Sequence, residues 1–264
     1  MEKLIIGRYV PTVSVIHRMD PRSKLLLVFL FVGIVFIANN SVTYGILALY
    51  TIFMMGLSKI PFRFLYGGLK PILWLVVFTL LLQIFLTKEG PLLYQLGPVK
   101  IYEEGLRQGI FISIRFFLLI LITSLLTLTT TPIEITDGLE TLLNPLKKVK
   151  FPVHELALMM SISLRFIPTL LQETEKIMKA QTARGAEFDS GRVKDRVKAI
   201  IPLLIPLFVS SFKRAEELAI AMEARGYRGG EGRTKYRQLS WRIGDTLMLA
   251  LLGFIAILLI LLRT

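Results

Sequence analysis

The sequence predicts an all-α membrane protein with about five transmembrane helices and long amphipathic cytoplasmic helices inserted before the last span. Three observations predict it. The residues are 53% hydrophobic with a mean hydropathy of +0.62, an excess over the roughly 45–50% of soluble domains that is gathered into long uncharged runs. Five of those runs approach the ~20 residues that cross a hydrocarbon core. The basic residues, 32 Lys+Arg against 19 Asp+Glu for a net charge of +13, flank these runs. That placement favours a membrane surface over nucleic acid as the reason for the basic balance.

The first run covers residues 25–38, extended by Asn39 and Asn40. Ahead of it, "MDPRSK" offers Asp20 as an N-cap and Pro21 at the first helical position, where a missing amide donor costs nothing. Arg22 and Lys24 then read as headgroup anchors. The second run covers residues 42–57, and the third covers 71–87 with Gln83 as its one strongly polar group. The fourth, about 109–129, contains Arg115, and the last, 243–262, has Asp245 near its start.

Lys and Arg near span ends stay cytoplasmic. The N-terminal tail carries Lys3, Arg8, Arg18, Arg22 and Lys24, whereas Asn39-Asn40-Ser41 carries no charge. Lys59, Arg63 and Lys70 follow without an acid; then Lys88 and Lys100 stand against Glu89, Glu103 and Glu104. Residues 130–242 hold 19 basic and 13 acidic side chains. This alternation places the N-terminus inside and the C-terminus outside. It divides the chain into a cytoplasmic tail (1–23), a four-helix membrane region (24–130), a cytoplasmic helical region (131–242) and a final span (243–264). No small-residue cleavage site follows the apolar patches of the tail, so it does not read as a secretory signal.

The roughly 110 residues before the last span are too many for a structureless loop. They read as helices punctuated by Pro and Gly: one opening at Pro132 and bent or ended at Pro145, one from Pro152 to Gly185, and one through Pro202 and Pro206 to Gly226. Ile167, Leu170, Leu171, Thr174, Ile177, Met178 and Gln181 recur at spacings of three and four, as do Phe208, Phe212, Ala215, Ala219 and Met222. Each helix can thus bury one face and show water the other. Both long helices close on the same tripeptide, Ala183-Arg184-Gly185 and Ala224-Arg225-Gly226, 41 residues apart. Gly past a helix end is the usual left-handed terminator, and Arg in a last turn complements the helix dipole. The same tip also suits a docking plug: Ala and Gly keep it slim, and Arg presents a planar fork of donors to a carboxylate or exposed carbonyls.

"HRMDPRSKLLLVFLFVG", "LRFIPTLLQETEKIMKAQTARGAEFDSG" and "IPLFVSSFKRAEELAIAMEARGYRGGEGRT" closely resemble the transmembrane T component of energy-coupling factor transporters, a family related to the membrane subunit of cobalt and nickel uptake systems. The resemblance covers essentially the whole chain. It implies that the long cytoplasmic helices are coupling helices ending in an X-Arg-X motif, each docking on one of two ABC-type ATPases. Arg184 and Arg225 would be the docking arginines, framed by Ala183, Gly185, Ala224 and Gly226. It further implies that ATP and magnesium are held by those ATPases, with no cofactor on this chain. A separate small membrane protein, the substrate-binding S component, would carry a vitamin or metal ion.

Other chemistry finds little support. There is no cysteine, and with only His17 and His154 no thiolate or histidine metal cage is expected. "HELAL" from His154 has Leu158 where a zinc motif needs its second histidine. "GYRGGEGRT" lacks the Gly-Lys-Ser/Thr of a phosphate loop and reads as a basic exit touching anionic lipid through Arg228 and Arg233. Arg115, about 12 Å along its helix from Arg107, is too deep to snorkel to the outer surface and is expected to pack within the protein or against a partner, with Gln83 as candidate neighbour. Two alternatives stay open: the membrane subunit of an ordinary ABC importer, and an intramembrane enzyme. The first lacks its downstream Ile-x-Leu-Pro here, and the second lacks a polar catalytic cluster in the spans.

Overall fold

A computed structural model describes residues 9–96, 99–186, 188, 193–230 and 237–263, with backbone alone at 62–72, 94–96, 99–100 and 193–199. Lys3, Arg8 and Arg233, named above among the basic flanks, lie outside the described residues, as do the side chains of Arg63, Lys70 and Lys100. In chain order the elements are α1 (Pro21–Val35), α2 (Ser41–Ser58), α3 (Phe62–Leu86), β1 (Leu92–Leu96), β2 (Val99–Tyr102), α4 (Glu103–Thr129), α5 (Pro132–Leu143), a 3-10 turn (Asn144–Val149), α6 (Val153–Ala183), α7 (Val193–Ala224) and α8 (Ile243–Leu261). The chain divides into two compact units, Met1–Leu142 with Gln238–Thr264, and Leu143–Arg237.

The first unit packs α1 against α8 and α4, α2 against α4, and α3 against α4. Its core uses Leu27, Phe31 and Ile34 of α1, Leu47, Tyr50 and Met54 of α2, Leu118, Ile122 and Leu125 of α4, and Leu252, Ile255 and Leu259 of α8. All recur at three or four residues, so each helix lends one stripe. Surrounded by lipid, such a core gains from close packing more than from leaving water.

Polar rims close both ends of this core. At one rim Asp245, fully buried, accepts the Asp20 N–H at 3.0 Å and the Ser23 hydroxyl at 2.7 Å on Oδ1, and the Arg242 N–H at 2.7 Å on Oδ2. Asp20 caps α1 as its sequence predicts, accepting the Arg22 N–H at 2.9 Å. Burial alone would raise the Asp20 carboxyl, yet the hydrogen bonds and charge of Arg22 hold it below its ordinary value. Arg22 also lies over the Trp241 ring. Lys24 is not the headgroup anchor expected above: it is 5% exposed, and its Nζ donates to Thr129 O at 2.9 Å and His17 O at 3.4 Å. The helix start points it at the unpaired last carbonyls of α4.

At the other rim, Asn40 caps α2 through the Thr43 N–H and donates from Nδ2 to Leu262 O at 2.9 Å. From Asp245 to Leu262 α8 rises about 25 Å, and from Arg115 to Thr129 α4 rises about 21 Å. By length and composition, α2, α4, α6 and α8 are able to cross a membrane. α1 has only 15 residues, because the run that reads 25–38 stops being α-helical at Val35, where Phe36 and Ile37 turn back onto Gly33 and Ile34 carbonyls. α6 qualifies through its apolar first half, although the charge pattern assigns it to the insertion. The β1–β2 antiparallel hairpin, which sequence patterning treats as a charged loop, joins α3 to α4.

Asp245→Ala is expected to lower stability in detergent by about 1–3 kcal/mol, since it leaves the buried Asp20 N–H without an acceptor, while the Ser23 hydroxyl keeps Asp20 O and Arg242 is exposed. Asp245→Asn, which keeps one carbonyl, is expected to cost less. A scan of unfolding temperature across wild type and both variants checks the order.

Candidate functional site

The second unit is built on α6 and α7, two helices of 31 and 32 residues. Pro152 stands at the N-cap of α6, and Pro145 falls in the 3-10 turn before it. Pro168, Pro202 and Pro206 lie inside the long helices. Each removes one hydrogen bond to the carbonyl four residues earlier.

The two Ala-Arg-Gly tripeptides end their helices in the same geometry. Gly185 has φ +88° and Gly226 has φ +74°, the left-handed region that only glycine enters without cost. In α6 the Gly185 N–H returns to Thr182 O and the Ala186 N–H to Gln181 O, both at 3.0 Å. In α7 the Gly226 N–H returns to Glu223 O at 2.9 Å and the Tyr227 N–H to Met222 O at 3.0 Å. Both are Schellman motifs, with paired 6→1 and 5→2 bonds that satisfy the last carbonyls. Ala183, Arg184, Gly185, Ala224, Arg225 and Gly226 are all exposed. Neither guanidinium has an ion-pair or hydrogen-bond partner among the described residues. The glycines are required by φ and not by space, because a Cβ built on either meets nothing within 4 Å.

The helices meet well before their tips. Glu173 of α6 accepts the Ser210 hydroxyl at 2.5 Å and the Arg214 guanidinium at 2.9 Å, both from α7. Beyond the α7 tip the chain turns back: Gly230 lies directly against the His154 imidazole at the start of α6. Four residues reach at most about 14 Å, so past the crossing α7 runs back along α6. The two arginines therefore lie on opposite sides of the crossing, each about 16 Å along its helix from it and roughly 30 Å apart.

The apolar faces expected to be buried are only partly so. Along α7, Ile205 is 62% exposed, Phe208 60% and Phe212 73%, a stripe at helical spacing that the second unit does not cover.

Arg115, the intramembrane cation, sits elsewhere. Its Nε and Nη2 donate to the Tyr44 hydroxyl at 3.1 and 2.7 Å, and its charge lies over the rings of Phe36 and Tyr44. Phe36 ends α1 and Tyr44 begins α2, so Arg115 stands level with that rim of the packed core. α4 has 27 residues, and its first three turns extend past that rim. Packing within the protein is the outcome, but Gln83 is not the neighbour; its amide donates to Gln108 Oε1 at 3.1 Å. Sequence reasoning missed Tyr44 and the Glu173–Arg214 contact. A signal for the latter existed, because the 41-residue step relating Arg184 to Arg225 also relates Glu173 to Arg214.

Gly226→Ala is expected to strain the α7 terminus by about 1–2 kcal/mol, seen as faster hydrogen exchange at the amides of residues 226 and 227 while the Gly185 tip is unchanged. Tyr44→Phe, which removes the acceptor for Arg115, is expected to cost about 1.5–3 kcal/mol, measured as a lower unfolding temperature with normal membrane insertion.

Comparison with known proteins extends the resemblance. Residues 12–236 match the CbiQ family model, described as cobalt transport protein. The energy-coupling factor transporter transmembrane protein EcfT of Bacillus subtilis is 67% identical over 263 residues, covering 100% of this chain and 99% of its own. Proteins of the same name from Listeria innocua and Macrococcus caseolyticus are 58% and 54% identical, the first covering 100% of both chains and the second 100% of this chain and 99% of its own. A helical membrane unit, two long helices with matching arginine tips and full-length likeness to these proteins agree: the chain belongs to the CbiQ family and is a transmembrane T component of energy-coupling factor transporters.

Proposed function

We propose that this chain is the transmission subunit of its transporter, coupling ATP hydrolysis by two ABC-type ATPase subunits to uptake of a vitamin or metal ion held by a separate small membrane protein. The observation that carries this reading is the pair of similarly capped, exposed arginine tips, without a partner among the described residues and set on opposite sides of one crossing. Two equivalent plugs suit two equivalent sockets, and a separation of roughly 30 Å suits two neighbouring globular subunits. Arg184 and Arg225 would each enter a groove on one ATPase, with Ala183, Gly185, Ala224 and Gly226 keeping the approach narrow. ATP and magnesium would sit on the ATPases, and this chain would hold neither.

The uncovered stripe of Ile205, Phe208 and Phe212 supports a partner rich in apolar surface, which a small substrate-binding membrane protein provides. In this reading the rim of Asp20, Lys24 and Asp245 faces the cytoplasm with the N-terminus, the rim of Asn40 and Arg115 faces outward with the C-terminus, and α6 and α7 lie on the cytoplasmic side. The charges of Arg165, Glu173, Glu175, Lys176 and Lys179 along α6 favour that side over a span.

The test joins purification to uptake. Wild-type chain taken gently from its own membranes is expected to bring two ATPase subunits and one small hydrophobic protein. Arg184→Glu with Arg225→Glu is expected to insert normally, lose the ATPases and abolish uptake. Normal uptake by that double variant would overturn the coupling reading.

A further inference from the structure

The Glu173–Arg214 contact has a symmetry that the tips alone do not disclose. Each residue stands eleven positions before the arginine of its own tip, 173 to 184 and 214 to 225. The helices therefore touch at equivalent points of a repeated segment. A contact between equivalent points of two equivalent helices lies on the local two-fold axis relating them, as residue i meeting its own counterpart does in any two-fold interface. Equal arms of about 16 Å follow on both sides.

The chemistry at the crossing suits a pivot better than a glue. Both side chains are partly exposed, 34% for Arg214 and 23% for Glu173, so the pair adds little to stability. Its value is in register. An all-apolar crossing tolerates slippage of one helix past the other, whereas a charged pair with both carboxylate oxygens engaged, one by Arg214 and one by Ser210, specifies one alignment. Slippage of one helix by one turn, about 5.4 Å, would change the length of its own arm while leaving the other unchanged, and so spoil the match between tips.

We propose that Glu173 and Arg214, assisted by Ser210, form the fulcrum of the two long helices: a positioning pair that fixes the separation of the two arginine tips and converts tilt of one arm into tilt of the other. This rests on the docking reading above. Breaking the pair leaves both tips able to dock but lets them move independently, so ATP hydrolysis continues while transport per ATP falls.

The chain has no cysteine, so Lys179→Cys with Ile220→Cys, equivalent exposed positions beyond the crossing, gives a clean pair for spin labels. Distances are measured in the full chain purified with its ATPases in lipid nanodiscs, and uptake per ATP is measured on the unlabelled variants. The otherwise unaltered labelled chain is expected to give a narrow distribution. Glu173→Gln and Arg214→Gln are each expected to broaden it and to lower uptake per ATP about fivefold, the scale of a partly exposed pair. Glu173→Arg with Arg214→Glu restores both if the charge pair is the fulcrum. An unchanged distribution in Glu173→Gln, or a charge-swapped chain as broad as the single variants, overturns the proposal. Co-purification of the ATPases is scored separately. Their retention after reversal of both tip arginines would sink the docking reading, while the width of the distance distribution judges the fulcrum.

Discussion

Asp245 is the constraint on which the membrane unit depends. Its carboxyl is fully buried at the first turn of α8, where it takes the backbone N–H of Arg242 and reaches across to the Asp20 N–H and the Ser23 hydroxyl. One side chain thereby finishes the N-terminus of the last helix and binds it to the N-terminus of the first. Between these helices lie more than two hundred residues of chain, and closing so long a loop is entropically costly. A buried acceptor serving three donors gives that closure a definite geometry. Lys24 extends the same rim to α4 by way of Thr129 O, so α1, α4 and α8 are registered at one level.

The two units meet their polar obligations in opposite ways. In the membrane unit, the rim residues Asp20, Lys24, Asn40, Tyr44, Arg115 and Asp245 find partners within the unit itself. In the second unit Glu173 and Arg214 pair where α6 and α7 cross; beyond that crossing Arg184 and Arg225 are exposed, as is an apolar stripe on α7. A surface left in that condition is incomplete as a solvent-facing surface, which is why the subunit reading explains more of the chain than the enzyme alternative does.

Much of this was legible in the sequence where the physics is local. The apolar runs located the helices of the membrane unit, Asp20-Pro21 marked the start of α1, and Gly185 and Gly226 marked both helix ends, because caps and terminators depend on a few adjacent residues. What escaped needed knowledge of neighbours. Lys24 looked like a surface anchor because charge usually is one; its burial depends on Thr129, over a hundred residues away. Arg115 was placed by its distance from Arg107 along one helix, which does not reveal that Tyr44 of α2 is its partner. The hairpin of β1 and β2 is too short for a periodic signal. The crossing pair was encoded in the 41-residue step, but a spacing does not say that equivalent positions touch.

The Schellman motifs have a consequence for how fast and how cleanly the tips can be recognised. Ordering a loop residue on binding costs about 1–2 kcal/mol of backbone freedom, and a disordered docking segment carries that cost for each residue it folds. Here the paired returns of residues 185 and 186, and of 226 and 227, onto the last carbonyls have already fixed the backbone on both sides of each arginine. Only side-chain rotamers are left to settle. A tip of this kind is preorganised, and more of its contact energy with any socket appears as affinity.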